Sequence, residues 1–211
     1  HIALTGSAGF DLYIGKKHHG TFIPPFEIQD GYESVIRFDS SEMRDITVNF
    51  PLYSEVGQLY IGVSEGATVS SAEPYKTVKP IVYYGSSITQ GGCASRPGNA
   101  YEAIVSQRLN VDHINLGFSG NALMEHEVID LLADIDAEVY LVDAMPNVCI
   151  MEPEQVRDTV LSSIRRLRSK KPDVPIVLVD HHGYPHSKVD PVAREKDSKT
   201  FVMQKAAYDQ L

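Results

Sequence analysis

The feature that most restricts the fold of this chain is a run of apolar and aromatic residues that ends in a loop of small residues. Residues 81–84 (IVYY) follow a proline and have the pattern of a strand that is buried on both faces. The next residues, 85–92, are rich in Gly and Ser, and residues 99–109 predict a helix. In open α/β sheets, a buried parallel strand that turns into a helix places reactive groups at its carboxyl end. The sequence therefore predicts a functional site at this loop.

Two kinds of chemistry suit such a loop. One is nucleophilic catalysis by Ser86 or Ser87, with nearby backbone N–H donors that stabilise an oxyanion. The other is phosphate binding, but the lysine of a Walker loop does not follow Gly91 or Gly92, and the dinucleotide pattern Gly-x-Gly-x-x-Gly is absent. An ordinary turn of small residues is also compatible with this composition. The loop by itself leaves these interpretations open.

Strand and helix patterns alternate regularly after residue 80. This alternation predicts an α/β fold, with a parallel sheet, right-handed crossovers and helices on both faces. The predicted strands are residues 113–118, 138–145 and 175–179, and the predicted helices are residues 124–135, 153–170 and 200–211.

The first seventy residues instead show the period-two alternation of short antiparallel strands. Several short strands in succession predict a small all-β domain, a sandwich or jelly roll. Residues 72–80 contain two prolines and no periodicity, so we predict two domains, residues 1–72 and 80–211. The alternating apolar residues lie at 2–4, 10–14, 46–52 and 59–63.

Charge and residue usage exclude several classes of partner. The chain of 211 residues has a formal net charge of −9, which argues against nucleic acid or an anionic membrane as the main partner. No apolar run approaches the roughly 18 residues of a membrane span. Cys93 and Cys149 are expected to be separate thiols. No cofactor or metal is predicted. Adjacent His18 and His19, at a predicted hairpin tip, point to opposite faces of a strand and make a poor metal site by themselves.

Two motifs resemble one hydrolase family. Residues 85–89 (GSSIT) resemble the first block of the SGNH (GDSL-type) hydrolases, in which Gly-Asp-Ser precedes an aliphatic residue. Ser87 then takes the position of the nucleophile, and Ser86 stands where the family usually has aspartate. Residues 9–13 (GFDLY) resemble the Gly-x-Asp-Leu-Tyr segment that names a β domain in front of one branch of SGNH esterases. The resemblance implies a flavodoxin-like SGNH-hydrolase sheet. For residues 9–13, the alternative is an ordinary strand with Asp11 on its solvent face.

Further site residues are predicted where the second and third strands of the sheet end. An acyl-transfer site needs donors directed at the oxyanion, and the carboxyl ends of parallel strands share one edge. The resemblance implies that Gly117 supplies a backbone N–H and Asn147 a side-chain amide, beside Ser87. Pro146 and Val148 depart from the usual Gly-x-Asn-Asp of the third block. Taken singly, Gly117 is better explained by backbone shape and Asn147 by a turn after proline. The three residues together, in this order, favour catalysis.

The general base has no match in the sequence. The family has it late in the chain as Asp-x-x-His, and no aspartate here has a histidine three residues later. His181, His182 and His186 follow the fourth strand and are the best-placed internal candidates. Because the resemblance places that loop too early, we expect the true Asp and His beyond Leu211, in a fold that lacks its last part. The β domain is expected to lack its start at His1, which leaves the compartment open, with a secreted or periplasmic location as a hypothesis.

The favoured hypothesis is a serine esterase that forms an acyl-enzyme on Ser87. The resemblance implies a small ester or acylated carbohydrate as substrate, often with an acetyl group, and neither nucleic acid nor membrane as partner. A catalytically silent carbohydrate-binding protein is the main alternative. A flavodoxin-like binder of phosphate or flavin is the third, and it leaves Gly117 and residues 143–147 without a role.

Overall fold

The computed structural model divides the chain into two compact units. One consists of His1–Lys76 with Gly91–Asn110, and the other of Thr77–Gln90 with Val111–Leu211. The predicted division into domains 1–72 and 80–211 stays a prediction. The structure describes residues 2–25, 27, 30–181, 183 and 185–211, without the side chain of residue 186.

The first unit contains an antiparallel sheet with β1 in its centre. Among its described residues, the strands pair in the order β2-β1-β3. This arrangement confirms a small β domain that precedes, in the sequence, the loop of residues 85–92, called the serine loop below. The sandwich or jelly roll stays a prediction. The elements are α1 (Leu4–Ser7), β1 (Phe10–Ile14), β2 (Lys17–Phe22), β3 (Ile46–Asn49), a 3₁₀ turn (Pro97–Asn99) and α2 (Tyr101–Leu109).

Asp11 of β1 is buried in this unit. Its Oδ1 accepts a hydrogen bond from Asn49 Nδ2 at 2.7 Å, and its Oδ2 accepts the N–H of Gly98 at 2.8 Å. Nε of Arg96 lies 3.7 Å from the same Oδ2. The alternative that Asp11 lies on a solvent face is therefore wrong, because its carboxylate joins β1 to the turn before α2.

Two strand predictions in the first unit are wrong. Residues 4–7 form one helical turn, in which the N–H groups of Gly6 and Ser7 donate to the carbonyl of Ala3 at 3.0 and 2.9 Å. Residues 59–63, all of which the structure describes, form no strand, and Tyr60 is 83% exposed. Alternation predicts which side chains would share a face, but a strand also needs a partner for its backbone.

The predicted hairpin tip is also displaced. His18 and His19 lie within β2, and the turn between β1 and β2 falls at residues 15–16. Gly15 has φ 55°, a left-handed conformation that glycine adopts without steric cost.

The second unit contains a parallel sheet, and its described strands follow the order β5-β4-β6-β7. The chain adds strands first on one side of β4 and then on the other, as in flavodoxin-like sheets. The predicted α/β architecture is therefore confirmed. The elements are β4 (Ile81–Gly85), β5 (His113–Gly117), α3 (His126–Asp134), β6 (Val139–Asp143), α4 (Met145–Val148), α5 (Pro153–Lys170), β7 (Ile176–Leu178), a 3₁₀ turn (Pro185–Lys188) and α6 (Pro191–Tyr208).

Helix α5 covers one side of the core of this unit. It begins at Pro153, whose fixed φ suits the first helical turn, after a capping box formed by Glu152 and Gln155. One apolar stripe of the helix is buried, which fixes the face that α5 turns toward the sheet. The buried members are Val156, Val160, Ile164 and Leu167, in one cluster with Val82, Tyr84, Tyr140 and Val142 of the strands.

Candidate active site

The loops that carry the candidate site residues begin at paired residues on three neighbouring strands. Gly85, the last residue of β4, is in register with Gly117 of β5 on one side and with Asp143 of β6 on the other. Neighbouring strands lie about 4.8 Å apart. The loops after β4, β5 and β6 therefore start side by side at the carboxyl edge, where the strand order changes direction and α/β sheets bind ligands.

The loop after β4 is packed closely against the end of β6. A Cβ atom at Gly85 would lie 2.5 Å from the carbonyl oxygen of Asp143, so no larger residue fits there. The hydroxyl of Thr89 donates to Oδ2 of Asp143 at 3.1 Å, in a buried position. These contacts fix the start of the serine loop relative to β6.

The two serines of this loop have different environments. Ser86 is fully buried, its N–H donates to the carbonyl of Asp143 at 3.2 Å, and its Oγ accepts the N–H of Ile88 at 3.2 Å. Ser87 is partly exposed. Of the two serines, solvent therefore reaches Ser87 and not Ser86.

The loop after β5 is tied to the serine loop by Asn115. Its Nδ2 donates to the carbonyl of Thr89 at 3.0 Å, and its Oδ1 accepts the N–H of Gly117 at 2.9 Å. A Cβ atom at Gly117 would lie 2.1 Å from the backbone nitrogen of Gln90, so the close approach of the two loops requires glycine. The role of Gly117 as an oxyanion donor stays a prediction, since its N–H is bonded to Asn115 here.

Asn147 lies on α4, the short helix after β6. Its Oδ1 accepts the N–H of Ala122 at 3.1 Å, and its side chain is partly exposed. The oxygen and the nitrogen occupy separate branches of the planar amide, so the bond from Ala122 to Oδ1 does not use the two hydrogens of Nδ2. This arrangement suits donation to a ligand atom.

Tyr84 precedes Gly85 and is buried in the core. Burial raises the pKa of Tyr84 to about 12. Its hydroxyl oxygen accepts the N–H of Met124 at 2.9 Å. Tyr84 is therefore a neutral partner for the loop after β5 over the whole range of ordinary assay pH.

His181 is not arranged as a base for Ser87. It is 7% exposed, it stacks on Phe201 with ring centroids 4.7 Å apart, and its Nδ1 accepts the N–H of Gly183 at 2.8 Å. An accepting Nδ1 puts the ring proton on Nε2, whereas a base that a carboxylate orients donates from Nδ1 and accepts at Nε2. His182 and the side chain of His186 lie outside the described residues.

Sequence reasoning assigned no role to Asn115, Tyr84 or Ser163. The sequence offers only one signal for Asn115, a polar residue inside a predicted strand two positions before its last glycine. Each of the three has a hydrogen bond to a residue distant in sequence, and no local pattern reports such bonds.

The described part of the chain also bears on metal binding and on membrane insertion. No group of three or more His, Cys, Asp or Glu side chains is arranged to hold a metal ion. Of the helices that the structure describes, none is both long and apolar enough to cross a membrane.

Comparisons with known proteins identify both parts of the chain. Residues 78–211 match the GDSL-like lipase/acylhydrolase family, and residues 1–69 match the GxDLY N-terminus of SGNH-hydro-type esterases. A candidate GDSL-like lipase from Bacteroides ovatus ATCC 8483, solved at 1.40 Å, is 34% identical with a TM-score of 0.86 over 98% of this chain. This chain spans 61% of the length of that protein.

A second solved structure shows similarity of fold alone. It is a salicylyl-acyltransferase from a tetracycline biosynthetic pathway, 14% identical, with a TM-score of 0.56 over 93% of this chain and 57% of its own. Comparison with curated protein sequences finds no significant match. Because the family match covers most of the chain and the 34% identical structure almost all of it, the chain belongs to the GDSL-like lipase/acylhydrolase family, with the N-terminal part of SGNH-type esterases.

Proposed function

We propose that this protein is a serine esterase that hydrolyses carboxylic esters through an acyl-enzyme on Ser87. The observation that carries the proposal is the position of Ser87, the partly exposed serine on the turn after β4. The end of that strand is flanked by the ends of β5 and β6, whose loops hold the other candidates. Membership of the GDSL-like lipase/acylhydrolase family supports the same class of reaction.

The proposed reaction has two steps. Oγ of Ser87 attacks the carbonyl carbon of the ester and gives its proton to a general base, which passes that proton to the departing alcohol. Water then attacks the acyl group on Ser87, and the carboxylic acid leaves as the serine hydroxyl is restored. Negative charge develops on the carbonyl oxygen in both steps, so fixed donors directed at that oxygen lower both barriers.

Of the two predicted oxyanion donors, Asn147 has the stronger structural support. Its amide is already oriented by the bond from Ala122 to Oδ1, which leaves the hydrogens of Nδ2 out of that bond. The N–H of Gly117 would first have to leave Oδ1 of Asn115. We therefore expect Asn147→Ala to lower kcat by about 10²- to 10³-fold, the usual cost of removing one such donor.

The general base must be a histidine whose Nδ1 donates to a carboxylate. His181 has the opposite hydrogen-bond polarity at Nδ1. The Asp-x-x-His pair of the family stays our prediction for this role.

We further propose that the substrate is a short acyl group, such as acetyl, on a carbohydrate. The support is the resemblance of residues 85–89 and 9–13 to enzymes that remove acyl groups, often acetyl, from carbohydrates. Rates on p-nitrophenyl acetate and p-nitrophenyl octanoate test the acyl group, and acetate release from an acetylated oligosaccharide tests the alcohol. A preference for the octanoate, or no release from the oligosaccharide, would contradict the corresponding part.

The experiment that tests the esterase proposal is the intact mass of the complete protein after treatment with a serine-directed fluorophosphonate. We expect one adduct on the wild type, none on Ser87→Ala, and one on Ser86→Ala, because the proposal assigns the nucleophile to Ser87 and Ser86 is fully buried. No adduct on a folded wild type would overturn the proposal and favour the carbohydrate-binding alternative.

A further inference from the structure

We propose that Tyr84 and Ser163 are positioning residues that hold the amide of Asn147 in its donor orientation, through the backbone of the loop after β5. The inference rests on the proposed function, which makes Asn147 an oxyanion donor. It adds two residues, one on β4 and one on α5, that act on the reaction through other residues and not by contact with the substrate.

Both backbone groups of Met124 are bonded to buried side chains. Its N–H donates to the hydroxyl oxygen of Tyr84 at 2.9 Å, and its carbonyl accepts the hydroxyl proton of Ser163 at 2.7 Å. Tyr84 is 1% exposed and Ser163 is fully buried. Buried backbone groups need partners, and at Met124 a strand and a helix supply them.

The conformation of Met124 makes these bonds important. Its φ of 61° lies in the left-handed region, which is unfavourable for a residue with a Cβ atom. Such a conformation persists only where the surroundings hold it. Loss of either hydrogen bond would therefore let the backbone at Met124 relax.

A change at Met124 reaches Asn147 through a short segment. Ala122, two residues earlier, is buried and donates its N–H to Oδ1 of Asn147 at 3.1 Å. The N–H of Leu123 donates to the carbonyl of Asn121 at 3.0 Å, so this segment is a tight turn. Met124 and Ala122 therefore have little freedom to move independently of each other.

The hydrogen bond from Ala122 is what fixes the amide of Asn147. The terminal torsion of asparagine has a broad, roughly two-fold distribution, so the side chain alone does not set which way the oxygen points. If Ala122 moves, the amide of Asn147 can rotate and turn its oxygen toward the oxyanion. Tyr84 and Ser163 therefore act on the reaction through Met124, Ala122 and Asn147 in turn.

Steady-state kinetics of the complete protein on p-nitrophenyl acetate test the inference. We expect Ser163→Ala and Tyr84→Phe to lower kcat by about 10- to 100-fold, the scale of a small misplacement of a catalytic group. KM should change little, because the affected interaction forms in the transition state.

Two control variants separate positioning from general packing. Ser162→Ala removes the hydroxyl of the exposed neighbour on α5, and Tyr140→Phe removes a hydroxyl that donates to the carbonyl of Ile135 at 2.5 Å. Both controls should keep the kcat of the wild type. If Ser163→Ala fails to fold by circular dichroism, Tyr84→Phe decides the question.

A double-mutant cycle with Asn147→Ala gives the decisive readout, since residues that act as one unit are not additive. We expect Ser163→Ala to lower kcat in the wild type and to have almost no effect once Asn147 is alanine. If Ser163→Ala lowered kcat by the same factor in both backgrounds, or lowered it in neither, the inference would be overturned. The proposed function would still stand, provided that the turnover of the wild type depends on Ser87. A wild type without such turnover would overturn both.

Discussion

The backbone N–H of Gly98 donates a hydrogen bond of 2.8 Å to Oδ2 of Asp11, a carboxylate with no exposed surface. Asn49 donates to the other oxygen at 2.7 Å. One carboxylate thus joins two strands of the first unit to the turn that precedes α2. The aspartate of the Gly-x-Asp-Leu-Tyr segment therefore links three elements of this unit: β1, β3 and the 3₁₀ turn.

We expect Asp11→Asn to destabilise the first unit. The amide nitrogen of the new side chain would face one of the two donors, and the charge beside Arg96 would be lost. A buried donor left without its acceptor costs about 1–3 kcal/mol, so we expect the free energy of unfolding to fall by about 2 kcal/mol. Urea unfolding followed by circular dichroism measures this change.

Asp39→Asn is the matched control, because Asp39 is exposed. Surface substitutions of this kind usually change the free energy of unfolding by less than about 0.5 kcal/mol. An equal effect of the two substitutions would contradict the assigned role of Asp11.

Gly117→Ala tests whether glycine is required there by packing. The added Cβ would lie 2.1 Å from the backbone nitrogen of Gln90, so the serine loop has to move. We expect a loss of about 1–3 kcal/mol in the free energy of unfolding, the usual cost of overpacking, together with a loss of esterase activity. Thermal unfolding and the fluorophosphonate reaction rate measure the two effects.

Gly62→Ala provides the comparison, because a Cβ there meets no atom within 4 Å. If Gly117→Ala kept the stability of the wild type and lost only activity, the packing explanation would be wrong.

The ion pairs of Asp130 predict a pH dependence of stability. Hydrogen bonds from Arg166 and Lys170 hold the pKa of Asp130 well below its ordinary value. A carboxylate with a depressed folded-state pKa stabilises the fold above its unfolded pKa, which is about 3.9. That stabilisation disappears as the pH falls below this value toward the folded-state pKa.

The test is the difference in Tm between the wild type and Asp130→Asn across pH. We expect the wild type to be the more stable protein at pH 7 and the difference to shrink as the solution becomes acid. High salt should also reduce it, since the pair is near the surface. A difference that grew in acid would contradict the assignment.

The parallel sheet could be predicted because each signal for it is local. Residues 81–84 are apolar or aromatic throughout, and α5, which begins at Pro153, has an apolar stripe of period 3.6 from Val156 to Leu167. Residues 59–63 alternate in the same local way and yet form no strand, because alternation says nothing about a pairing partner.

The candidate site was predictable in position and less so in detail. Ser87 and Asn147 follow strand ends, which sequence can locate. The buried Ser86 donates its N–H to the carbonyl of Asp143, and the N–H of Gly117 donates to Oδ1 of Asn115. Such contacts form only once the strands are in register, so they become visible only in the structure.

Asn115 offers the sharpest test of how the loops after β4 and β5 are joined. It donates to the carbonyl of Thr89 and accepts from Gly117, so Asn115→Asp keeps the acceptor and loses the donor. An ionised carboxylate would set its second oxygen against the carbonyl of Thr89. We expect a loss of about 1–3 kcal/mol in the free energy of unfolding at pH 7.

The loss should depend on pH in a direction that the geometry fixes. Once protonated, the new carboxyl group can again donate to the carbonyl of Thr89, so the Tm of Asn115→Asp should approach that of the wild type as the pH falls. Asn115→Ala supplies neither function and should stay destabilised at every pH. If the two variants lost the same Tm at all pH values, the donor of Asn115 would not be what joins the serine loop to β5.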